Sequence, residues 1–343
     1  MLVEVDRLVG QRSNGWGSTE SSTSRSGIAL RFATVRLVFL GPLLIGCGAD
    51  RAVEDAPRPV ASQIDDRCHR VAERLRDELA SRGEVVVREP FVLAGDVSSG
   101  QLVRWYQQTI QPAAQAMHNA YFTTAPDRPI TILLCSREAS YRDLADHLFA
   151  DRPDSSWGYY KPGHRTLLVN LQSGFAGVGH ELTHALMDVD FPAAPFWFRE
   201  GMAGLHESYR HRETAAGPRL EGLVDGRWKA MRSLMEADRL LGIAALLNRG
   251  RPPRDRAARR YAQARFLCLF LQQRHCLERY YRCLKRDIGT DPQGIRTLLE
   301  VLQKPTLDEV DRDYRSWLEG LRAARAGRDQ AILFSPPRGR AHV

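Results

Sequence analysis

Two histidines four residues apart, His180 and His184, with Glu181 beside the first, are the residues of this sequence best suited to chemistry. Four residues advance an α-helix by about 400° and about 6 Å, so both imidazoles leave one face and can reach a single metal ion at roughly 2.0 to 2.1 Å. Glu181 is offset by one position. Its carboxylate is too far round the helix to be the natural third ligand, yet well placed to take a proton from a water on that metal. A second element follows, Trp197, Phe198, Arg199, Glu200, Gly201, Met202 and Ala203, with Glu200 sixteen positions after His184. Pro192 and Pro195 interrupt the helix between the two, so Glu200 is expected to open a second helix facing the first.

The elements that must position these groups can be read from apolar periodicity. Residues 175–189 form an amphipathic helix, with Val178, Leu182, Ala185 and Val189 on its buried stripe and the histidines opposite. Upstream, Ile64, Val71, Leu75 and Leu79 mark a helix over 63–82, and the β-branched run 85–93 a strand. A helix over 100–120, a strand over 130–135, a helix over 136–149 with Ser136 as N-cap and a strand over 166–170 complete the first half. Beyond residue 200 strand signals disappear, and helices are expected near 227–249, 257–274, 276–287, 292–302 and 307–324. The expectation is an α+β fold. A mixed α/β lobe over 63–190, with four or five strands and the metal-binding helix, precedes an all-helical lobe over 191–324 and a loose basic tail over 325–343.

The run Trp-Phe-x-Glu-Gly-x-Ala after His-Glu-Leu-Thr-His resembles the gluzincin metallopeptidases, especially the bacterial Peptidase MA-like group. This resemblance implies a zincin-like fold and one zinc ion. His180, His184 and Glu200 would be its ligands, water would take the fourth position, and Glu181 would act as general base. It also implies that residues 166–170 form the edge strand along which a peptide lies, and that a tyrosine of the helical lobe, for which Tyr261 is the position to test, donates to the developing oxyanion. Two features depart from thermolysin-like enzymes: the gap between His184 and Glu200 is shorter, and Gly204 stands where those enzymes carry an aspartate that orients a ligand histidine. Asp188, one turn beyond His184, is the carboxylate expected to do so here. His206 and Glu207 read as ordinary helix residues.

Composition bounds the rest. The chain has 343 residues, 43% hydrophobic and 26% charged, an ordinary globular balance with a net charge of +8. Its arginines are spread along helices among Asp and Glu, unlike the basic stripe of a nucleic-acid binder, and read as a solvated surface. Near the start, Arg36 precedes an apolar run that ends in Leu44, Ile45, Gly46 and Cys47 and is too short to span a bilayer comfortably. That order resembles the lipobox of bacterial lipoproteins. It implies a leader over 1–46, a lipid anchor on Cys47, a tether over 47–62 and a domain held outside the cytoplasm at the cell envelope. Cys68, Cys135, Cys268, Cys276 and Cys283 would then meet an oxidising compartment, although five cannot all pair. Together these readings point to a membrane-tethered zinc metallopeptidase acting on peptide or protein substrates. The rivals are a catalytically silent zinc-bearing peptide-binding lipoprotein and a metallohydrolase acting on a cell-wall amide.

Overall fold

In the computed structural model, residues 60–224, 227–247, 250 and 253–333 are described, so the leader, Cys47 and nearly all of the tether lie outside the described residues. The β-branched run makes two strands where one was expected, because the chain reverses at Pro90, which has no N–H to offer a ladder. Strand β1 (Glu84–Arg88) runs antiparallel to β2 (Phe91–Gly95), with Arg88 opposite Phe91. Next come β3 (Ile130–Cys135) and β5 (Thr166–Asn170), each parallel to its neighbour, and the short β4 (Gly158–Lys161) lies antiparallel on β5. The strand order β1-β2-β3-β5-β4 corrects one expectation: residues 166–170 are interior and the edge beside them is β4. Every residue of β2, β3 and β5 is buried, which suits strands covered on both faces.

Alternation along β3 sorts the two faces. Leu133 and Cys135 join a cluster with Cys68, Ala72 and Leu75 of α1 (Val60–Leu79) and Tyr141 and Leu144 of α4 (Glu138–Phe149). Ile130, Ile132 and Leu134 face the other way, toward α2 (Ser99–Trp105), α3 (Gln111–Ala120) and α5 (Ala176–Asp190). The helix expected over 100–120 is continuous but carries a π-helical turn at Tyr106–Ile110, where the Gln111 N–H reaches back to the Tyr106 carbonyl just ahead of Pro112. Ser136 does not cap α4; its N–H and hydroxyl donate to Asp96 at 2.5 and 2.7 Å.

In the second half, α6 (Phe196–Leu205) is followed by a hairpin, β6 (Tyr209–Arg212) and β7 (Arg219–Gly222), so this half is not all helical. Its strands had no apolar alternation to betray them. They are joined by a polar ladder, in which Glu221 of β7 accepts from Arg210 and Arg212 of β6 at 2.8 to 3.1 Å. Helices α7 (Trp228–Glu236), α8 (Ile243–Leu246), α9 (Arg254–Gln273), α10 (Leu277–Asp287), α11 (Ile295–Leu302) and α12 (Leu307–Leu333) complete the described residues. Helix α12 continues to Leu333, well into the segment expected as a loose tail. One buried cluster runs from Leu93 and Ile132 of the sheet through Leu182 of α5 and Phe198 of α6 to Phe266 of α9 and Tyr314 of α12. The two halves therefore share a core. Cys68, Cys135, Cys268, Cys276 and Cys283 are all free thiols, the first four of them buried.

Candidate metal centre

Helix α5 is fixed from both sides. Val178, Leu182, Ala185 and Leu186 bury its apolar face, and at Gly179 the helix backbone meets the His206 carbonyl so closely that a Cβ would overlap it. Its far end is tied down by Asp190, whose Oδ1 accepts from the Thr123 and Thr124 N–H groups at 2.8 Å each and from Lys285, and whose Oδ2 accepts from Tyr281 at 2.7 Å. Helix α6 is anchored by buried Trp197 and Phe198, which pack on Tyr280, and by Gly201, where a Cβ would lie 2.7 Å from Cys268 Sγ of α9. That close approach sets the depth at which the neighbouring Glu200 is presented. Glu200 sits in the middle of α6 rather than at its start.

These supports bring His180, His184 and Glu200 together. The two histidine Nε2 atoms are 3.1 Å apart, and each is close to one Glu200 oxygen: His180 at 3.9 Å from Oε2 and His184 at 3.8 Å from Oε1. Ligands at 2.0 to 2.2 Å from one ion in tetrahedral array stand about 3.3 to 3.6 Å from each other, so the observed separations bracket what a shared ion needs. All three side chains keep 12 to 18% of their surface exposed, which leaves solvent a way in. The His180, Glu181 and His184 ligand atoms lie within 4.8 Å of one another and could hold a metal ion.

Glu181 is buried to 6% exposure beside the main chain of Tyr160 on edge strand β4, whose N–H favours its charged form. Burial raises its carboxyl to about 7, with repulsion from Glu200 and Glu207 adding to the effect against the pull of His180. Burial alone would depress His180, but the carboxylates of Glu181, Glu207 and Glu200 outweigh it and lift the group to about 9. His184 is driven well below the ordinary histidine range by burial, by His180 and by Arg199.

The carboxylate behind the candidate ligands is not the expected one. Asp188 accepts from the Tyr160 hydroxyl at 3.0 Å and lies 3.6 Å from Arg199, so it clamps strand β4 against α5 and α6 instead of orienting a histidine. Glu207 takes that place: its Oε1 is 2.9 Å from His180 Nδ1, and Arg227 grips both its oxygens, Oε2 at 2.8 Å from Nε. With a proton on Nδ1 donated to Glu207, the His180 Nε2 lone pair is left facing His184 and Glu200. Treating 200–207 as one helix hid this role. The helix ends at Leu205, and the turn that follows swings Glu207 under His180. The only available signal was a carboxylate a few residues beyond an expected ligand.

His206, read as an ordinary helix residue, stands at the C-terminal cap of α6. It is fully buried, its Nδ1 lies 3.0 Å from Thr183 Oγ1, and that hydroxyl donates to the Gly179 carbonyl, so the ring braces α5 from beneath. Burial, with Arg265 and His180, lowers it to about 3. Tyr261, on α9, packs against Phe196 of α6 with ring centroids 5.9 Å apart and the rings tilted by 39°, and lies within electrostatic reach of Arg227. Comparison with known protein families finds no match to this chain, and comparison with curated proteins finds none either.

Proposed function

We propose that the chain is a zinc-dependent metallopeptidase of the gluzincin type, with a zincin-like arrangement in which His180, His184 and Glu200 hold one zinc ion. The observation that carries this reading is the convergence of three side chains from two helices, the histidine Nε2 atoms 3.1 Å apart and each 3.8 to 3.9 Å from one of the two Glu200 oxygens, with the buried carboxylate of Glu181 alongside. Imidazole and carboxylate donors in this number suit zinc with one position left open. Bound there, zinc would supply Lewis acidity, bringing the pKa of a water toward about 7 and polarising a carbonyl.

The remaining work belongs to the chain's own groups. Glu181, raised to about 7, is matched to accept a proton from the attacking water near neutral pH and to return it to the leaving amine. That carboxylate lies beside the Tyr160 main chain of β4, the edge where an extended peptide would add as a further strand. Glu207 and Arg227 hold the His180 tautomer, and Tyr261 is the group proposed to donate to the oxyanion. The lipobox-like segment adds the second half of the proposal, an envelope lipoprotein anchored through Cys47 with its domain outside the cytoplasm; no described helix is long and apolar enough to cross a membrane.

Zinc analysis combined with a digest of a broad peptide library tests the reading. Ala at His180, His184 or Glu200 should lower zinc content, whereas Glu181→Gln should keep zinc and abolish cleavage. Zinc-loaded wild-type protein that cleaves nothing in the library would favour the silent peptide-binding lipoprotein instead.

A further inference from the structure

On α1, Arg67, Arg70 and Arg74 stand three and four residues apart and so share a face. That face borders a recess of about 570 Å³ whose other basic walls come from far along the chain: Arg128 ahead of β3, and His164 and Arg165 in the turn entering β5. Five guanidiniums and an imidazole thus meet at one concavity, on the side of the sheet opposite α5.

Carboxylates do not balance them. Asp127 accepts from Arg165 at 2.5 Å and its main-chain carbonyl takes Arg67 at 2.7 Å, while Glu78 stands 4.0 Å from Arg74. Among the described residues, Arg70 and Arg128 make no salt bridge within 4.0 Å, Arg128 acting on Asp127 only through space, and both are exposed. Arg165 is the most constrained of the set. Its φ is +47°, uncommon for a residue with a side chain, and it is held by its N–H to the Pro162 carbonyl at 3.0 Å and by the Thr131 N–H to its own carbonyl at 2.9 Å. Its side chain is 13% exposed, and its buried Nε has no acceptor. Buried donors are rarely left so.

We propose that this recess binds a phosphate group carried by a small amphiphilic ligand. A guanidinium fork matches phosphate oxygens in pairs, and a concave site walled by protein concentrates the positive potential of several such groups. A second recess of about 240 Å³ shares Arg74 and His164 with the first and continues between Leu75, Leu133 and Phe149, which gives the organic part of the ligand an apolar neighbour. The same chemistry is offered by a soluble phosphate ester and by a phospholipid headgroup.

Two binding arms on the full-length protein separate these sources. One is calorimetric titration with inorganic pyrophosphate near physiological salt; the other is flotation with phosphatidylcholine vesicles with and without phosphatidic acid. The variant Arg70→Glu with Arg128→Glu should weaken binding about tenfold or more, and Arg282→Glu with Arg322→Glu, an equal charge change elsewhere, should alter it less than about twofold. Pyrophosphate binding lost only in the first variant assigns a soluble phosphate ligand. Preference for phosphatidic acid vesicles, lost in the same way, assigns a lipid headgroup. The proposal is overturned if neither probe binds, or if both variants lose binding equally. Zinc content and peptide cleavage, measured in parallel, belong to the other face of the sheet, so their failure would leave this result standing.

Discussion

The candidate metal centre and the basic recess lie on opposite faces of one sheet and are built in opposite ways. At the first, four of the residues come from two consecutive helices, and the contacts of the two histidines with each other, with Glu200 and with Glu207 run from 2.9 to 3.9 Å. At the second, side chains from α1, from the approach to β3 and from the turn before β5 share a concavity, and few of them touch. Short-range geometry governs one and summed charge the other. The metal centre should therefore respond steeply to isosteric changes and little to salt. The recess should respond to charge reversal, and its ligand affinity should fall as ionic strength rises.

The largest effect tests the steep side of that contrast. Glu181→Gln preserves shape and hydrogen bonding but removes the base, and peptide cleavage should fall by about 10² to 10⁴-fold with zinc stoichiometry unchanged. A variant that keeps more than a tenth of the wild-type rate would assign Glu181 a structural part. Glu207→Gln comes next. It leaves a side chain of the same size facing His180 Nδ1 while deleting the charge that Arg227 balances, and zinc affinity measured by chelator competition should drop about 10- to 100-fold. If Asp188→Asn gives the larger drop instead, the orienting role returns to the carboxylate expected from the sequence.

Asp190 probes the scaffold that carries the metal centre. Lys285, Tyr281 and the Thr123 and Thr124 N–H groups outweigh the cost of its burial and lower its carboxyl from 3.8 to about 2. A carboxyl lowered on folding adds stability above its unfolded value, and this is lost as pH falls from about 4 toward 2, in total about 2 kcal/mol. Urea unfolding at pH 6 and pH 3 should show the wild type losing about 1 kcal/mol more than Asp190→Asn, roughly half the total because pH 3 lies midway between the two values, other carboxylates being common to both. Equal losses would mean that the network does not hold the charge.

How much of this was legible depends on the range over which each feature is encoded. The spacing of His180 and His184 is a property of one helical turn, and α5 follows the apolar stripe that predicted it. The strands 130–135 and 166–170 have the bounds read from their apolar runs, because interior strands need apolar residues on both faces. Pairing order is not local, and so the edge was assigned to β5 when the four residues of β4 hold it. Glu207 escaped because a helix end was unmarked, with neither Gly nor Pro after Leu205. The recess escaped for a different reason: the arginines of α1 alternate with acids in sequence, and only the fold shows which of them share a face with Arg128 and Arg165.

The smallest expected effect bears on whether β4 is part of the metal centre or merely beside it. Tyr160 bears on the site in two ways: its main-chain N–H favours the charge on Glu181, which no side-chain substitution removes, and its hydroxyl donates to Asp188 at 3.0 Å. Tyr160→Phe deletes the second and keeps the first. One hydrogen bond to a charged group contributes about 1.5 to 3 kcal/mol when buried, and less here, where Asp188 still has Arg199 and some exposure. Stability should therefore change by about 1 kcal/mol or less. If the hydroxyl only braces the strand, KM and kcat should shift by no more than a few-fold, with the pH profile unmoved. A loss of kcat approaching that of Glu181→Gln would make Tyr160, rather than Tyr261, the donor to the oxyanion, and would move that donor from the helical half of the chain to the sheet edge.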